Sequence, residues 1–344
     1  MKLRVFGAAV VALSLAGGAA RADGELHIFN WGDYTNPKLI EKFQKQYNVK
    51  VTLDDYDSNE TMLAKVRAGG TGYDVVVPSD YTVKIMVEED MLAKTEPDQM
   101  SNFKNIDPKF VDVYWDKGRH YSVPWQWGTT SFVVDTAKYK GDINTLALMF
   151  APPPELQGRI NVLDDMNSLF NAGLRYLNLP RCNGNPEDLK KLYDLLMSAK
   201  AQWRTFDYDT IGKMTSGDVD LSQTWNGAAR RIRLQRPTVA YSFPKEGIEG
   251  WADNVAVLKD AKNMENAKLW QNFLMDPENA ALISDFAKYQ NAILGSDKFS
   301  NQLDPGFTDS PEFKVPAGLE PEFVPPCSKE VTDKYNKIWT ALKK

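Results

Sequence analysis

Four short clusters in this sequence combine residue types able to recognise a charged, partly apolar small molecule. Trp31, Asp33 and Tyr34 bring an indole, a carboxylate and a phenol together, and Ser79-Asp80-Tyr81 repeats the set with a hydroxyl. Asp164-Asp165 supplies paired carboxylates, followed closely by Ser168. Trp251 and Asp253 stand at i and i+2, which places them on one face of a strand. Trp225, in Trp225-Asn226-Gly227, and Tyr289, after the last long helical pattern, add two more aromatics. An aromatic face attracts a cation, and a carboxylate accepts strong hydrogen bonds from an ammonium. Each cluster also has a plain structural reading. Trp31 and Tyr34 can cap a core, and Asp33, Ser79, Asp80 or Asp165 can cap helices.

The elements that carry these clusters read as α/β. Leu26–Asn30 is a short apolar run, and Pro37 opens the next helix in its first turn. Val49–Leu53 alternates as a strand, and Ser58-Asn59-Glu60 leads into an amphipathic helix ended by Gly69-Gly70. Tyr73–Val77 is a β-branched run of the buried parallel kind, running into Pro78 and Ser79. Strand, helix, strand, helix, strand predicts a parallel sheet, whose ligands gather at the carboxyl ends of the strands. The clusters fall at such ends. Gly69, Gly70 and Gly72 follow a helix and do not form a dinucleotide fingerprint.

Ser122–Asp135 is long and extended, as befits a crossing between two lobes. The expected architecture is two α/β lobes, each a central sheet flanked by helices, with ligand in the cleft between them. The expected lobes are residues 23–132 plus 255–295 and residues 133–254 plus 296–344, with crossings near 132–135, near Asn254 and around Leu294.

Residues 1–22 read as a signal peptide, with Lys2 and Arg4 ahead of an apolar run and Ala20-Arg21-Ala22 as the cleavage signal. Loss of Lys2, Arg4 and Arg21 takes the formal charge from −5 to −8. That balance argues against nucleic acid and favours cationic solutes. In an exported chain, the even cysteine count favours a Cys182–Cys327 disulfide over two buried thiols. Two histidines and no Cys-x-x-Cys give no basis for a metal site, and no cofactor is expected.

Taken together the clusters resemble the spermidine/putrescine type of periplasmic solute-binding protein, which serves ABC importers. The markers are Asn30-Trp31-x-Asp33-Tyr34, Tyr56-Asp57-Ser58-Asn59-Glu60-Thr61-Met62, Tyr73–Ser79, Trp225-Asn226-Gly227, Pro244-Lys245-Glu246-Gly247 and Trp251-x-Asp253. The resemblance implies a type II-like two-lobed binding protein, a monomer in the periplasm, with an inner-membrane permease as partner. It makes Trp31, Tyr34, Ser79, Tyr81, Trp225, Trp251 and Tyr289 walls or contacts of the site. Asp165 and Asp253 then become its carboxylates, with Asp33 and Asp80 as further acids.

One departure matters. Where the family places a second acid after Asp165, this chain has Ser168, and Arg204 brings a cation near the second-lobe site in sequence. That pair suggests an alternative ligand, a zwitterionic amine such as γ-aminobutyrate or an amino-acid conjugate. A secreted hydrolase using paired carboxylates is the competing class, but no nucleophile motif supports it, and a binding protein rather than an enzyme is expected.

Overall fold

The computed structural model describes residues 24–344, so the expected signal peptide at 1–22 lies outside the described residues. The chain opens with β1 (Gly24–Trp31), α1 (Pro37–Tyr47), β2 (Val49–Tyr56), α2 (Asn59–Arg67), β3 (Val75–Val76) and α3 (Asp80–Glu88). A hairpin of β4 (Asp112–Val113) and β5 (Asp116–Lys117) leads into the long β6 (Ser122–Asp135). Next come α4 (Ala147–Phe150), β7 (Ile160–Val162), α5 (Met166–Tyr176), α6 (Pro186–Lys200), β8 (Thr205–Phe206) and α7 (Thr210–Thr215). They are followed by β9 (Leu221–Trp225), α8 (Asn226–Gln235), β10 (Val239–Tyr241) and the second long strand, β11 (Ile248–Val257). The chain closes with α9 (Met264–Leu274), α10 (Pro277–Ala287), α11 (Ser296–Leu303), β12 (Pro321–Phe323) and α12 (Lys329–Leu342).

Parallel pairing of β1 with β2 and β3 builds the first sheet, and parallel pairing of β7 with β8 and β9 builds the second. Of three hydrophobic cores among the described residues, the two larger matter most here. One gathers Leu26, Ile28, Phe43, Val75, Trp125, Val255 and Trp270, the other Phe132, Ile160, Phe170, Leu192, Leu221 and Tyr335. The hydrogen-bonded ladder nevertheless runs without a break, in the order β2-β1-β3-β11-β6-β9-β7-β8. The reason is the length of β6 and β11. β6 pairs with β11 up to Thr130 and with β9 from Thr130 onward, so a single strand serves both sheets.

β6 changes pairing partner at Thr130, and Phe132 and Val134 beyond it belong to the second core. Asn254 accepts from Trp115 Nε1 and Arg119 Nη1, groups packed with the first core. α11 packs on α10. At its end Asp304 is held by Lys288 at 3.0 Å and by Arg230 at 2.6 Å.

The tail returns to the second core, where α12 packs on α5 and α6. Cys182 and Cys327 form a disulfide that closes a sequence separation of 145 residues. Closing so long a loop restricts the unfolded chain, so a Cys182→Ser/Cys327→Ser variant is expected to lose about 2–5 kcal/mol of unfolding free energy. Denaturant titration of the variant checks this. Two free thiols in the unreduced wild type would contradict the bond itself.

Candidate functional site

A cavity of about 400 Å³ opens between the two cores and is lined from both. On the first-lobe side, β1 ends at Trp31, whose Nε1 donates to the Val77 carbonyl at 2.9 Å. The same carbonyl accepts from Tyr56 Oη at 2.6 Å, and the Tyr56 ring lies 4.8 Å from that of Trp31. The indole is thereby held with one face toward the cavity. Asp253, only 6% exposed, accepts from Ser79 Oγ at 2.7 Å and from Tyr34 Oη at 3.0 Å. Ser79 occupies the N-cap position of α3 yet makes no capping bond with its side chain. Its hydroxyl is aimed at Asp253 instead, and Asn59 donates to it at 3.0 Å.

Tyr289 stands edge-on to both Tyr34 and Trp251, at 5.7 and 5.2 Å between centroids. Two glycines admit these rings. A Cβ on Gly128 would lie 2.7 Å from Trp251 Cζ2, and one on Gly227 would collide with the Tyr289 ring. The second lobe adds Trp225, against Tyr208 at 5.2 Å, and Asp165, which caps α5 by accepting from Ser168 N at 2.6 Å. Asp165 therefore caps its helix and lines the cavity at once.

The electrostatics are one-sided. Among the described residues, eight carboxylates line the cavity (Asp33, Asp57, Asp80, Asp164, Asp165, Asp209, Glu249 and Asp253) against one cation, Arg231. Arg231 pairs with Asp33 across the cleft at 2.6 Å, and Asp164 pairs with Lys343 at 2.7 Å. Burial pushes the Asp253 carboxyl up to about 7, against the lowering effect of its Ser79 and Tyr34 hydrogen bonds. Asp80 is likewise pushed up to about 7 by burial, partly opposed by the hydrogen bond from Tyr114. Burial also raises Asp165.

The structure brings Trp31, Asp33, Tyr34, Ser79, Asp80, Tyr81, Asp165, Ser168, Trp225, Trp251, Asp253 and Tyr289 onto this one cavity. Arg204 is the exception. It pairs with Asp218 at 2.6 Å, is about half exposed and lies outside the lining, because the edge strand β8 turns it outward to an acid near its own end of the sheet. Glu322 is also outside the main cavity, on Arg175 at 2.8 Å. Asp33 turns to Arg231, and Asp80 is closed in under Tyr114 Oη at 2.9 Å.

Sequence reasoning passed over Tyr208, Arg231 and Glu249. Tyr208 follows β8 just as Trp31 ends β1, and Glu249 continues the alternation of Trp251 and Asp253. Both signals were available.

A family model described as bacterial extracellular solute-binding protein matches residues 38–315. The chain belongs to this family. It is 30% identical to the putrescine-binding periplasmic protein SpuD of Pseudomonas aeruginosa, over 98% of this chain and 99% of that one. It is 33% identical to the spermidine/putrescine-binding periplasmic protein of Escherichia coli, over 83% of each. Among solved structures, the Tp0655 (TpPotD) lipoprotein of Treponema pallidum superposes with a TM-score of 0.81 at 26% identity, covering 92% of this chain and 99% of that one. The protein is thus a periplasmic solute-binding component of an ABC importer, with a small-molecule ligand and a permease as partner.

A raised carboxyl leaves a signature in stability. Between pH 4 and 7 the folded protein holds a proton on Asp253 that the unfolded chain has released. Stability then falls as pH rises through that window, by up to about 1.4 kcal/mol per pH unit. Asp253→Asn lacks this slope. The stability advantage of the ligand-free variant over wild type is expected to grow from pH 4 to 7 and level off above, and thermal or denaturant unfolding across that range checks it. A flat difference would contradict the buried, proton-holding carboxyl.

Proposed function

We propose that the ligand is a linear diamine or polyamine, held in the cleft with one ammonium on Asp253 and its methylene chain between Trp31, Trp225, Trp251 and Tyr289. The single observation that carries this reading is the charge of the cavity wall. Its acids have a surplus that the one lining cation, itself paired with Asp33, does not offset. A buried carboxylate is stabilised when a charged partner arrives, and the flat rings suit both methylenes and cation. The names of the relatives point the same way, toward putrescine and spermidine.

The zwitterionic alternative depended on Arg204, which faces Asp218 away from the cavity. Among the described lining residues there is no other cation than Arg231, so a ligand carboxylate would have to break the Arg231–Asp33 pair. The protein acts as a monomeric receptor, without catalysis and without nucleic acid. Its lobes exchange between open and closed states about the crossings in β6, in β11 and after α11. Contacts made from both sides only when closed give the ligand its preference for that state.

Calorimetry with putrescine, cadaverine, spermidine and γ-aminobutyrate tests the reading. At least one of the amines without a carboxylate should bind more tightly than γ-aminobutyrate. Asp253→Asn should weaken that binding by roughly 2–4 kcal/mol, since the ammonium loses its charged partner. Preference for γ-aminobutyrate, or an unaffected variant, would overturn it.

A further inference from the structure

A strand that enters both lobes can present an acid to each end of a bound chain, and β11 does so. Asp253 sits between Tyr34 and Ser79 of the first lobe. Four residues earlier on the same face, Glu249 reaches the second lobe, where Asn171 Nδ2 of α5 donates to its Oε1 at 2.9 Å. Trp251 lies between the two acids, and all three residues line the main cavity. Asn171 is in turn held by Arg181 Nε at 3.1 Å. Arg181 also donates to the Pro325 carbonyl, next to the Cys182–Cys327 bond, so the support of Glu249 is tied down covalently.

Beyond Glu249 the space narrows to an annex of about 20 Å³, lined in part by Thr130, Ser131, Ser168 and Gln223. That is room for one water. Ser131, 6% exposed, lines this annex, and its Oγ is without a hydrogen-bond partner. Arg175 also borders the annex but is paired with Glu322 at 2.8 Å.

We propose that Glu249 accepts the far ammonium of the ligand and, with Asp253, sets the chain length the protein prefers. The proposal rests on the diamine reading above. Four residues of strand span about 13 Å, and side chains on one face stand roughly perpendicular to the sheet. Side chains standing parallel on that face would set the two carboxylates about that far apart. Bond lengths near 1.5 Å separate the nitrogens of a diamine with four or five methylenes by about 6–7 Å. A charge-assisted hydrogen bond at each end brings the total to about 12–13 Å. An ammonium has three donors, and a water in the annex between it and Ser131 Oγ would take one of those left by Glu249. A further aminopropyl arm would have to enter space sized for that single water.

Binding of putrescine, cadaverine, spermidine and n-butylamine to wild type, Glu249→Gln and Glu249→Gln/Ser168→Glu tests this, with n-butylamine measured by thermal shift at high concentration. Wild type should prefer the two diamines to spermidine. Glu249→Gln should weaken the diamines by about tenfold to a hundredfold while leaving n-butylamine, which has no far ammonium, within about twofold. Ser168 borders the same annex, so Ser168→Glu in that background should restore part of the loss. Diamine binding unchanged in Glu249→Gln would overturn the proposal, as would equal loss of n-butylamine, which would mark Glu249 as structural. Tighter binding of spermidine than of both diamines would overturn the length rule. Failure of every amine to bind wild type would instead overturn the ligand class, and this assignment with it.

Discussion

A carboxylate buried to 6% exposure, with two hydroxyl donors and no paired cation among the described residues, is the constraint on which this site depends. Two neutral hydrogen bonds do not offset the removal of a full charge from water, so the group keeps a proton or waits for a cation. The surroundings are consistent with the second role. Ser79 gives up its helix cap to face Asp253, and Asn59 bonds both the Ser79 hydroxyl and its backbone N–H. Tyr34 is packed edge-on against Trp125 and Tyr289, which fixes its hydroxyl toward the other oxygen of the same carboxylate. The rings that would wall a methylene chain are the rings that exclude water from the acid.

That arrangement needs residues from two separately packed cores to meet at fixed spacing. The shared strands β6 and β11 provide it. Their antiparallel register sets Trp251 opposite Gly128 and Asp253 opposite Gln126, and the bare Cα of Gly128 lets the indole lie against the neighbouring strand. Because β6 pairs with β11 on one side of Thr130 and with β9 on the other, one strand joins the two sheets in a continuous ladder of hydrogen bonds. The Arg231–Asp33 pair joins two residues of the cavity lining and is partly exposed, where solvent weakens it.

Much of this was legible in the sequence, for a physical reason. Binding loops of an α/β protein follow strands, and strands betray themselves by β-branched runs, so Trp31, Ser79, Asp165 and Trp225 could be placed at strand ends before any fold was known. The period of two likewise put Trp251 and Asp253 on one face, though the same rule applied one step further would have found Glu249. Arg204 misled because proximity in sequence to a strand end says nothing about which edge of the sheet that strand occupies. β8 lies at the edge, and its flanking cation goes to Asp218. Nothing in the residues of β6 marks its change of pairing partner at Thr130, because extended sequence looks alike on either side of it.

The proton on Asp253 offers the most direct measure of whether this acid is the ammonium acceptor. Calorimetric titration of a diamine at pH 6, in buffers of different ionisation enthalpy, counts the protons released on binding. A carboxyl with a pKa of about 7 is mostly protonated at that pH and must ionise to pair with an ammonium. Release of about one proton or more per ligand is predicted for wild type, reduced by close to one in Asp253→Asn. Binding with no proton released, or with the same number from both proteins, would contradict the account.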